Sequence, residues 1–328
     1  MPWWLIAIAS LAVICALAAW WWLPKWEVER MRPKVSDPKV RADVEDNFRK
    51  SIGQLIGGAA VILGAGLAYY QTQQTLQTQS QQSKDTLQAQ DEQSKRTITS
   101  QQVSKGFELL SDENNAIKRL GGIYALEGVM NTSEQYHESV VDSLCAFVRF
   151  STGKSANEGP PATDVQAALT VIRRRKPGPG KVVLAHAQLP KAVLDDADLR
   201  GADLNGTNLS NSKLLGVDLS DGANLVDANL TGAELFSANF SGANMSGAKL
   251  NGAQPISANL SGATLIDADL SEVNLNGANL SGAKLDRAIL DKADLRDALN
   301  LIQGQLDGAC GNQTKLPRGL TIKPCPTP

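Results

Sequence analysis

The sequence predicts a mainly β fold for the chain, dominated by a square coil in its C-terminal half in which the backbone turns a corner every five residues. A five-residue frame repeats over residues 183–295: a small residue, Asp or Asn, Leu, and two polar or glycine positions. Its centres recur at every fifth position from Leu184 to Leu219 and, after one extra residue, from Leu225 to Leu295. A period of five fits neither an amphipathic helix nor an extended strand. Two transmembrane helices, a polar helical stalk and a small α-helical module are predicted to precede the coil.

Each face of the coil is predicted to place its central Leu, and the small residue two positions before it, in the interior. The other three positions of the frame face solvent, and glycine and serine serve the corners, where turns need unusual backbone angles. Successive coils are expected to stack through backbone ladders about 4.8 Å apart. The predicted interior residues are Leu189, Leu199, Leu204, Leu209, Leu230, Phe240, Leu260, Leu270, Leu280 and Leu295.

Three centres are not Leu, namely Phe240, Met245 and Pro255, and one residue is inserted near Asp221 and Gly222. The insertion should bulge or lengthen a corner, and Pro255 should remove one ladder bond because it has no N–H. We expect both to be tolerated defects rather than sites. Because an open coil end invites aggregation, the helical module should cover the first coil and residues 301–311 the last.

The N-terminal segment, residues 1–73, has the composition of a membrane anchor. All six Trp residues precede residue 27. Residues 3–23 carry no charge and are long enough to span about 30 Å of hydrocarbon as a helix. Trp3 and Trp4 at one end, and the Trp cluster at 20–22 and 26 at the other, are typical of interfacial belts. A cleaved signal peptide is the rival interpretation, but no Lys or Arg precedes the apolar run.

A second uncharged stretch, residues 51–70, is rich in Gly and Ala, which allow close helix packing in lipid. A buried soluble helix is the alternative, but pairing with the first stretch favours a two-helix hairpin. Eight Lys or Arg residues lie between the two stretches, at residues 24–50. By the positive-inside rule this connecting loop is cytoplasmic and the remainder extracytoplasmic. Six acidic residues share the loop, so the side of the C-terminal domain stays open. We therefore expect a two-pass protein of a bacterial inner (plasma) membrane, with the lipid bilayer as one partner.

Residues 74–106 form a polar segment with an eleven-residue period, in which Leu76, Leu87 and Ile98 are the equivalent apolar positions. Eleven residues make three helical turns, which is compatible with a weakly self-associating, right-handed coiled stalk. The alternative, which we favour, is a solvated single helix or a partly disordered linker, because one apolar residue in eleven buries little surface.

Residues 107–176 show apolar residues at spacings of three and four, which indicates a small helical module. Thr132 with Gln135 and Thr163 with Gln166 fit capping boxes that would open two of its helices. The basic run at 173–176 suits a helix end, where cations oppose the helix dipole, although phosphate or lipid binding is an alternative. The sequence Pro-Gly-Pro-Gly at 177–180 then marks a domain boundary.

No catalytic, cofactor-binding or metal-binding constellation is recognisable, so an enzyme is not expected. His137 and His186 have no defensible ligand or triad partner nearby in sequence. The four Cys residues form no CxxC motif. Cys310 and Cys325 can pair across the C-terminal tail, residues 312–328, but we expect two free thiols.

The repeated A(D/N)Lxx frame resembles that of pentapeptide-repeat proteins. Segments 119–127, 164–172, 301–311 and 314–320 are similar to parts of bacterial membrane-anchored members. The resemblance implies a right-handed quadrilateral β-helix over residues 183–311, including a C-terminal cap. We expect a membrane-tethered, non-enzymatic protein-binding or scaffolding function, with an unknown protein partner and possible weak self-association through the stalk.

Some soluble members of that family resemble duplex DNA and bind type II topoisomerases, which makes a DNA-mimicking modulator the alternative function. Residues 184–310 hold sixteen Asp or Glu and eight Lys or Arg, a net charge of −8. A duplex of similar length, about 28 Å, carries about sixteen charges. The central residues 228–266 contain only Glu234 and Lys249 as charged groups. The charge is therefore sparse for mimicry, and no nucleic acid partner is expected.

Overall fold

The computed structural model describes residues 3–30, 37–153 and 159–326. The chain divides into two compact units, residues 1–93 and 94–328. Its helices are α1 (Trp3–Arg30), α2 (Pro38–Leu110), α3 (Ala116–Thr132), a 3-10 turn (Glu134–Tyr136), α4 (His137–Thr152), α5 (Thr163–Arg174) and α6 (Gln303–Leu306).

One helix among the described residues, α2, is long and apolar enough to cross a membrane by length and composition. The predicted second span, residues 51–70, lies within it. The predicted first span, residues 3–23, lies within α1. The side chains of Trp3 and Trp4, assigned above to an aromatic belt, lie outside the described residues. At the other end of the stretch, the Lys25 ammonium sits 4.0 Å from the centroid of the Trp21 ring.

The predicted loop at residues 24–50 is largely helical, and that part of the prediction is wrong. Helix α1 continues to Arg30 and α2 begins at Pro38, while Arg32 and Lys34 lie outside the described residues. Within α2, Arg49 pairs with Glu45 at 2.7 Å and Lys50 with Asp46 at 2.8 Å. Such i,i+4 pairs stabilise a helix by a few tenths of a kcal/mol each, about 0.2–0.5. These pairs therefore stabilise helix in a segment that was predicted to be a connecting loop between two spans.

Residues 74–106 are a continuous part of α2. Leu76, Leu87 and Ile98 are 54%, 66% and 54% exposed, so the apolar stripe is uncovered in the single chain. Threonine hydroxyls along the segment donate to carbonyl oxygens one turn earlier, as Thr78 does to Gln74 at 2.9 Å.

The end of α2 and helices α3, α4 and α5 form a helical module around one apolar core. Ile123, Leu126, Leu144 and Leu169 are fully buried there. Helices α2 and α3 approach most closely at two glycines, because a Cβ on Gly122 would lie 2.7 Å from the carbonyl oxygen of Gly106.

Neither predicted capping box forms. The Thr132 hydroxyl donates to the carbonyl of Gly128 at 2.9 Å, inside the last turn of α3, and α4 begins only at His137. Helix α5 has Ala162 at its N-cap with no side-chain cap bond. Sequence reasoning missed a cap that does form in the module, in which the side chain of Asn115 accepts from the backbone N–H groups of Ile117 and Lys118.

The repeat region is a coil, but the predicted mainly β class is wrong. Helices hold 48% of the described residues, and none of the described residues forms a strand. Neighbouring coils pair only through isolated parallel bridges, such as Val183 with Asp203 and Asn229 with Lys249. The physical reason is the five-residue period. A left-handed corner residue ends each face after one paired residue, so no extended run is long enough to be a strand.

Side chains cover both ends of the coil. On the first coil, the amide of Gln166 in α5 donates to the Val193 carbonyl at 3.0 Å and accepts from the Val193 N–H at 3.2 Å. On the last coil, Gln305 in α6 donates to the carbonyls of Leu280 and Ala283, each at 2.8 Å.

A disulfide joins Cys310 to Cys325, so the expectation of two free thiols is wrong. The coil accounts for the pairing, because a parallel bridge between Cys310 and Lys323 brings the tail alongside the last coil. The sequence did not predict that Cys310 and Cys325 lie close together, because the five-residue frame does not continue through the tail.

Candidate interaction surface

The predicted interior residues lie inside the coil. Leu189, Leu199, Leu204, Leu209, Leu230, Phe240, Leu260, Leu270, Leu280 and Leu295 are each at most 2% exposed. They cannot touch a partner while the coil is folded. Any function of the repeat region therefore belongs to the three outward positions of each frame.

The last outward position of each frame is a corner with left-handed backbone. Glycine often occupies it, as at Gly216 with φ of 62°, but so do charged residues such as Asp196 with φ of 57°. These two are stacked on neighbouring coils, and a Cβ on Gly216 would lie 2.6 Å from the Asp196 carboxylate. Glycine at a corner thus leaves room for a polar side chain that leans over from the adjacent coil.

One face carries a ladder of side-chain amides, which we call the amide ladder: Asp218, Asn239, Asn259 and Asn279. Each Asn donates its Nδ2 to the oxygen of the preceding member, at 3.0, 3.2 and 3.4 Å along the ladder. The Asn oxygens also accept from the serine N–H two residues on, at 3.2 Å for Ser241. After Asp218 the members of the ladder are uncharged amides.

A second face carries three large apolar side chains at outward positions: Leu215, Phe236 and Ile256, which we call the apolar column. They stand on successive coils, because the Gly216 N–H donates to the Phe236 carbonyl at 2.9 Å and the Ser237 N–H to the Ile256 carbonyl at 3.0 Å. Phe236 is 36% exposed and the other two are partly exposed. Comparable positions on the amide-ladder face are Ser.

Charged groups lie at both ends of the coil, ten at residues 191–227 and twelve at residues 267–307, and some of them pair between or within coils. Arg287 pairs with Asp267 at 2.6 Å across coils, and Lys292 with Glu272 at 3.0 Å. The hydrogen bond from Arg296 lowers the pKa of the neighbouring Asp294 carboxyl from 3.8 to about 2. These pairs therefore interrupt the acidic charge of the last coils.

The two departures from the frame interrupt the coil without gathering chemical groups. The extra residue makes a corner of two consecutive left-handed residues, Asp221 at 57° and Gly222 at 75°. At Pro255 the ladder has a gap, since no bridge joins Gln254 to Asn274, although both lie in the described part of the chain. The lost N–H explains the gap.

The histidines singled out by sequence hold structural positions. His137 is 5% exposed, and its ring nitrogens lie 2.5 Å from the Pro179 carbonyl and 3.1 Å from that of Lys176. The Pro-Gly-Pro-Gly segment therefore wraps around this ring. His186 is a corner residue with φ of 61°. Within the described ranges, no three His, Cys, Asp or Glu side chains group to hold a metal ion.

Sequence reasoning identified outward positions as a class but missed the apolar column. Leu215, Phe236 and Ile256 are 21 and 20 residues apart, one coil each, and share the first position after a centre. Reading the sequence in coils rather than in single frames would have found them.

The repeat region matches the family described as pentapeptide repeats (8 copies), over residues 181–216, 216–252 and 258–297. This match confirms the resemblance of the repeat frame. No curated protein matches the chain.

Three solved structures are similar to part of the chain. Rfr23, a pentapeptide repeat protein from the cyanobacterium Cyanothece 51142, is 30% identical with a TM-score of 0.27, covering 36% of this chain and 65% of Rfr23. QnrB1, a plasmid-mediated fluoroquinolone resistance protein, is 24% identical with a TM-score of 0.26, covering 40% and 65%. HetL, involved in heterocyst differentiation regulation in Nostoc sp. strain PCC 7120, is 28% identical with a TM-score of 0.17, covering 43% and 79%. The chain thus spans 65% of the length of the first two.

Proposed function

We propose that this chain, which carries pentapeptide repeats, is a membrane-tethered, non-enzymatic protein-binding scaffold that presents the apolar column to a protein partner. The observation that carries the proposal is the position of Phe236. It stands 36% exposed between Leu215 and Ile256, and on these three coils the other outward positions of the same face are polar or glycine.

An exposed aromatic residue flanked by aliphatic ones, with a polar surround, has the composition of a binding hot spot. Fully burying a Phe side chain contributes about 1.5–3 kcal/mol. Backbone hydrogen bonds between coils hold the three residues in place on adjacent coils. Binding of a partner therefore costs little conformational entropy at this surface. The column suits a folded protein with a shallow apolar cleft.

Membrane tethering through α1 and α2 is part of the proposal. Its support is the apolar stretch of α2 and the Trp and basic residues near the end of α1, where Lys25 and Trp21 stack. Such pairs are typical of the membrane–water interface. The disulfide between Cys310 and Cys325 favours an oxidising compartment for the repeat region, which is the side that the positive-inside rule also favours.

The charge pattern weighs against a DNA-mimicking modulator of a topoisomerase. Duplex DNA presents one sign of charge continuously. Here Arg287 and Lys292 neutralise Asp267 and Glu272 across coils, and the amide ladder is uncharged beyond Asp218.

The binding proposal is tested by site-specific photocrosslinking in cells. A benzophenone amino acid replaces Phe236 in one variant and Ser241, on the amide-ladder face, in the matched control. We expect a discrete crosslinked protein from position 236 and none from 241. Phe236→Ser should weaken binding of that protein, once purified, by about 30-fold, the equivalent of roughly 2 kcal/mol. Equal crosslinking from both positions, or unchanged affinity in the Ser variant, contradicts the proposal.

The topology is tested separately by thiol trapping in intact cells. A membrane-impermeant maleimide, added after mild reduction without lysis, should label Cys310 and Cys325 if the tail faces outward. Labelling only after lysis would refute the extracytoplasmic assignment and leave the crosslinking result unaffected.

A further inference from the structure

A groove of about 570 Å³ lies in the helical module, between the end of α2, the start of α3 and one side of α4. Its apolar lining includes Phe107, Leu110, Phe147 and Phe150. Three of the six Phe residues of the chain are therefore gathered here. The volume falls in the range of small-molecule sites, about 300–1,000 Å³.

The aromatic lining is incompletely covered in the single chain. Leu110 is 8% exposed and forms the floor, whereas Phe150 is 57% exposed at the edge. Phe147 and Phe150 are three residues apart on α4 and so lie on the same side of that helix. Exposure of this apolar surface to water is unfavourable, and an apolar ligand that covers it would gain the corresponding free energy.

Arg119 gives the groove its polar anchor. Its Nε donates to the Asp164 carboxylate at 2.6 Å, and its Nη1 donates to the carbonyls of Asp112 at 2.8 Å and Glu113 at 2.9 Å. A guanidinium has five N–H donors. The two on Nη2 have no acceptor among residues 3–30, 37–153 and 159–326, while the side chain is only 19% exposed. The guanidinium is thus held in place by three bonds with two donors left for a ligand.

The charges around Arg119 set the ligand's polarity. Asp164, with its side chain 5% exposed, faces Arg119 from α5, and Lys118 pairs with Asp112 at 2.9 Å. Glu113 is exposed at the rim and carries the remaining negative charge. An oxyanion that bonds Nη2 is therefore attracted by Arg119 and opposed by Glu113, so removal of the Glu113 charge should strengthen its binding.

We propose that this groove binds an acyl compound with one carboxylate, whose chain lies against Phe107, Phe147 and Phe150 and whose carboxylate accepts from Nη2 of Arg119. Bonds from arginine to carboxylate are charge-assisted and satisfy donors that are costly to leave unmade. The site lies outside the repeat region and does not depend on the function proposed for the apolar column.

The test uses the full chain in nanodiscs of a zwitterionic lipid, with a decanoate analogue that carries a chain diazirine as the probe. Crosslinked peptides are located by mass spectrometry. We expect saturable labelling of the segments around Phe107 and Phe150, displaced by decanoate about tenfold more effectively than by decanol or decyltrimethylammonium, the ratio that about 1.4 kcal/mol gives.

Three variants sharpen the result. Phe150→Ser, at the exposed edge, should reduce labelling about fivefold or more, because truncating a hot-spot aromatic commonly costs at least about 1 kcal/mol. Tyr124→Ser, which truncates an exposed aromatic side chain of the same module that does not line the groove, should leave labelling unchanged. Glu113→Gln should improve competition by decanoate and leave that of decanol unchanged.

Equal competition by decanol would show that Arg119 does not recognise the carboxylate, and stronger competition by decyltrimethylammonium would show that the rim selects cations. Either result overturns the proposal. Labelling that is the same in Phe150→Ser and Tyr124→Ser overturns it as well, and hydrogen exchange of α3 and α4 in both variants establishes that each is folded.

Discussion

Two adjacent glycines in α3 should respond to the same substitution with opposite signs. Gly121 is exposed, and a Cβ placed on it meets no atom within 4 Å. Gly122 is buried against α2, where a Cβ would lie 2.7 Å from both the Gly106 carbonyl oxygen and the Leu110 backbone nitrogen. Alanine at either position removes the conformational freedom that glycine gives the unfolded chain.

The magnitudes follow from these surroundings. Gly121→Ala should stabilise α3 by about 0.8–1.0 kcal/mol, the difference in helix propensity between the two residues. Gly122→Ala gains the same amount, but its methyl group meets backbone that no side-chain rotation can move away. Overpacking of this kind costs about 1–3 kcal/mol, and the contact with backbone atoms places Gly122 at the upper end. The net change should be a loss of about 2 kcal/mol.

The assay is native-state hydrogen exchange of the full chain, read by mass spectrometry on peptides covering residues 116–132. Tryptophan fluorescence does not report on this module, because all six Trp residues precede residue 27. Opening free energies should rise in Gly121→Ala and fall in Gly122→Ala. If both variants stabilise α3, the close approach of α2 and α3 at Gly106 and Gly122 is not present in solution, and the reasoning fails.

Two further predictions concern the coil. Gly247 and Gly252 both have φ of 67°, but only a Cβ on Gly247 would collide with the Asp227 carboxylate. Both Ala variants should lose about 1–2 kcal/mol of unfolding free energy in urea because alanine is strained in the left-handed conformation. Gly247→Ala should lose more than Gly252→Ala, and adding Asp227→Ala to Gly247→Ala should remove that difference. Equal losses in the two single variants would show that the contact with Asp227 is absent. Because Arg296 lowers the pKa of Asp294 from 3.8 to about 2, the stabilisation from this carboxylate is complete above pH 3.8 and is lost as the pH falls through 2. Arg296→Gln should raise that pKa in an NMR titration, and an unchanged midpoint would show that the pair is absent in solution.

The repeat frame predicted which side chains fill the coil, because every frame has to place a small residue and a large apolar residue in the same narrow interior. The repeat frame did not predict the secondary structure class. Each corner begins so early that only one residue per face pairs with the next coil, and one paired residue is too few to form a strand. The helix caps failed for a similar reason. Gln166 satisfies the pattern of a capping box, yet its amide bonds Val193, which is distant in sequence. The groove was invisible because it is formed by residues 107–151 only when three helices meet.

The amide of Gln166 also has a consequence for the order in which the chain acquires structure. The Gln166 amide donates one hydrogen bond to Val193 and accepts one from it. The backbone of each coil likewise donates to and accepts from the next coil. The helical module leaves the ribosome before the repeats and is built mainly from local contacts, which form quickly. It can therefore serve as a template onto which coils are added one at a time during synthesis. The growing coil then always has a single unfinished edge, and α6 with the disulfide closes that edge last.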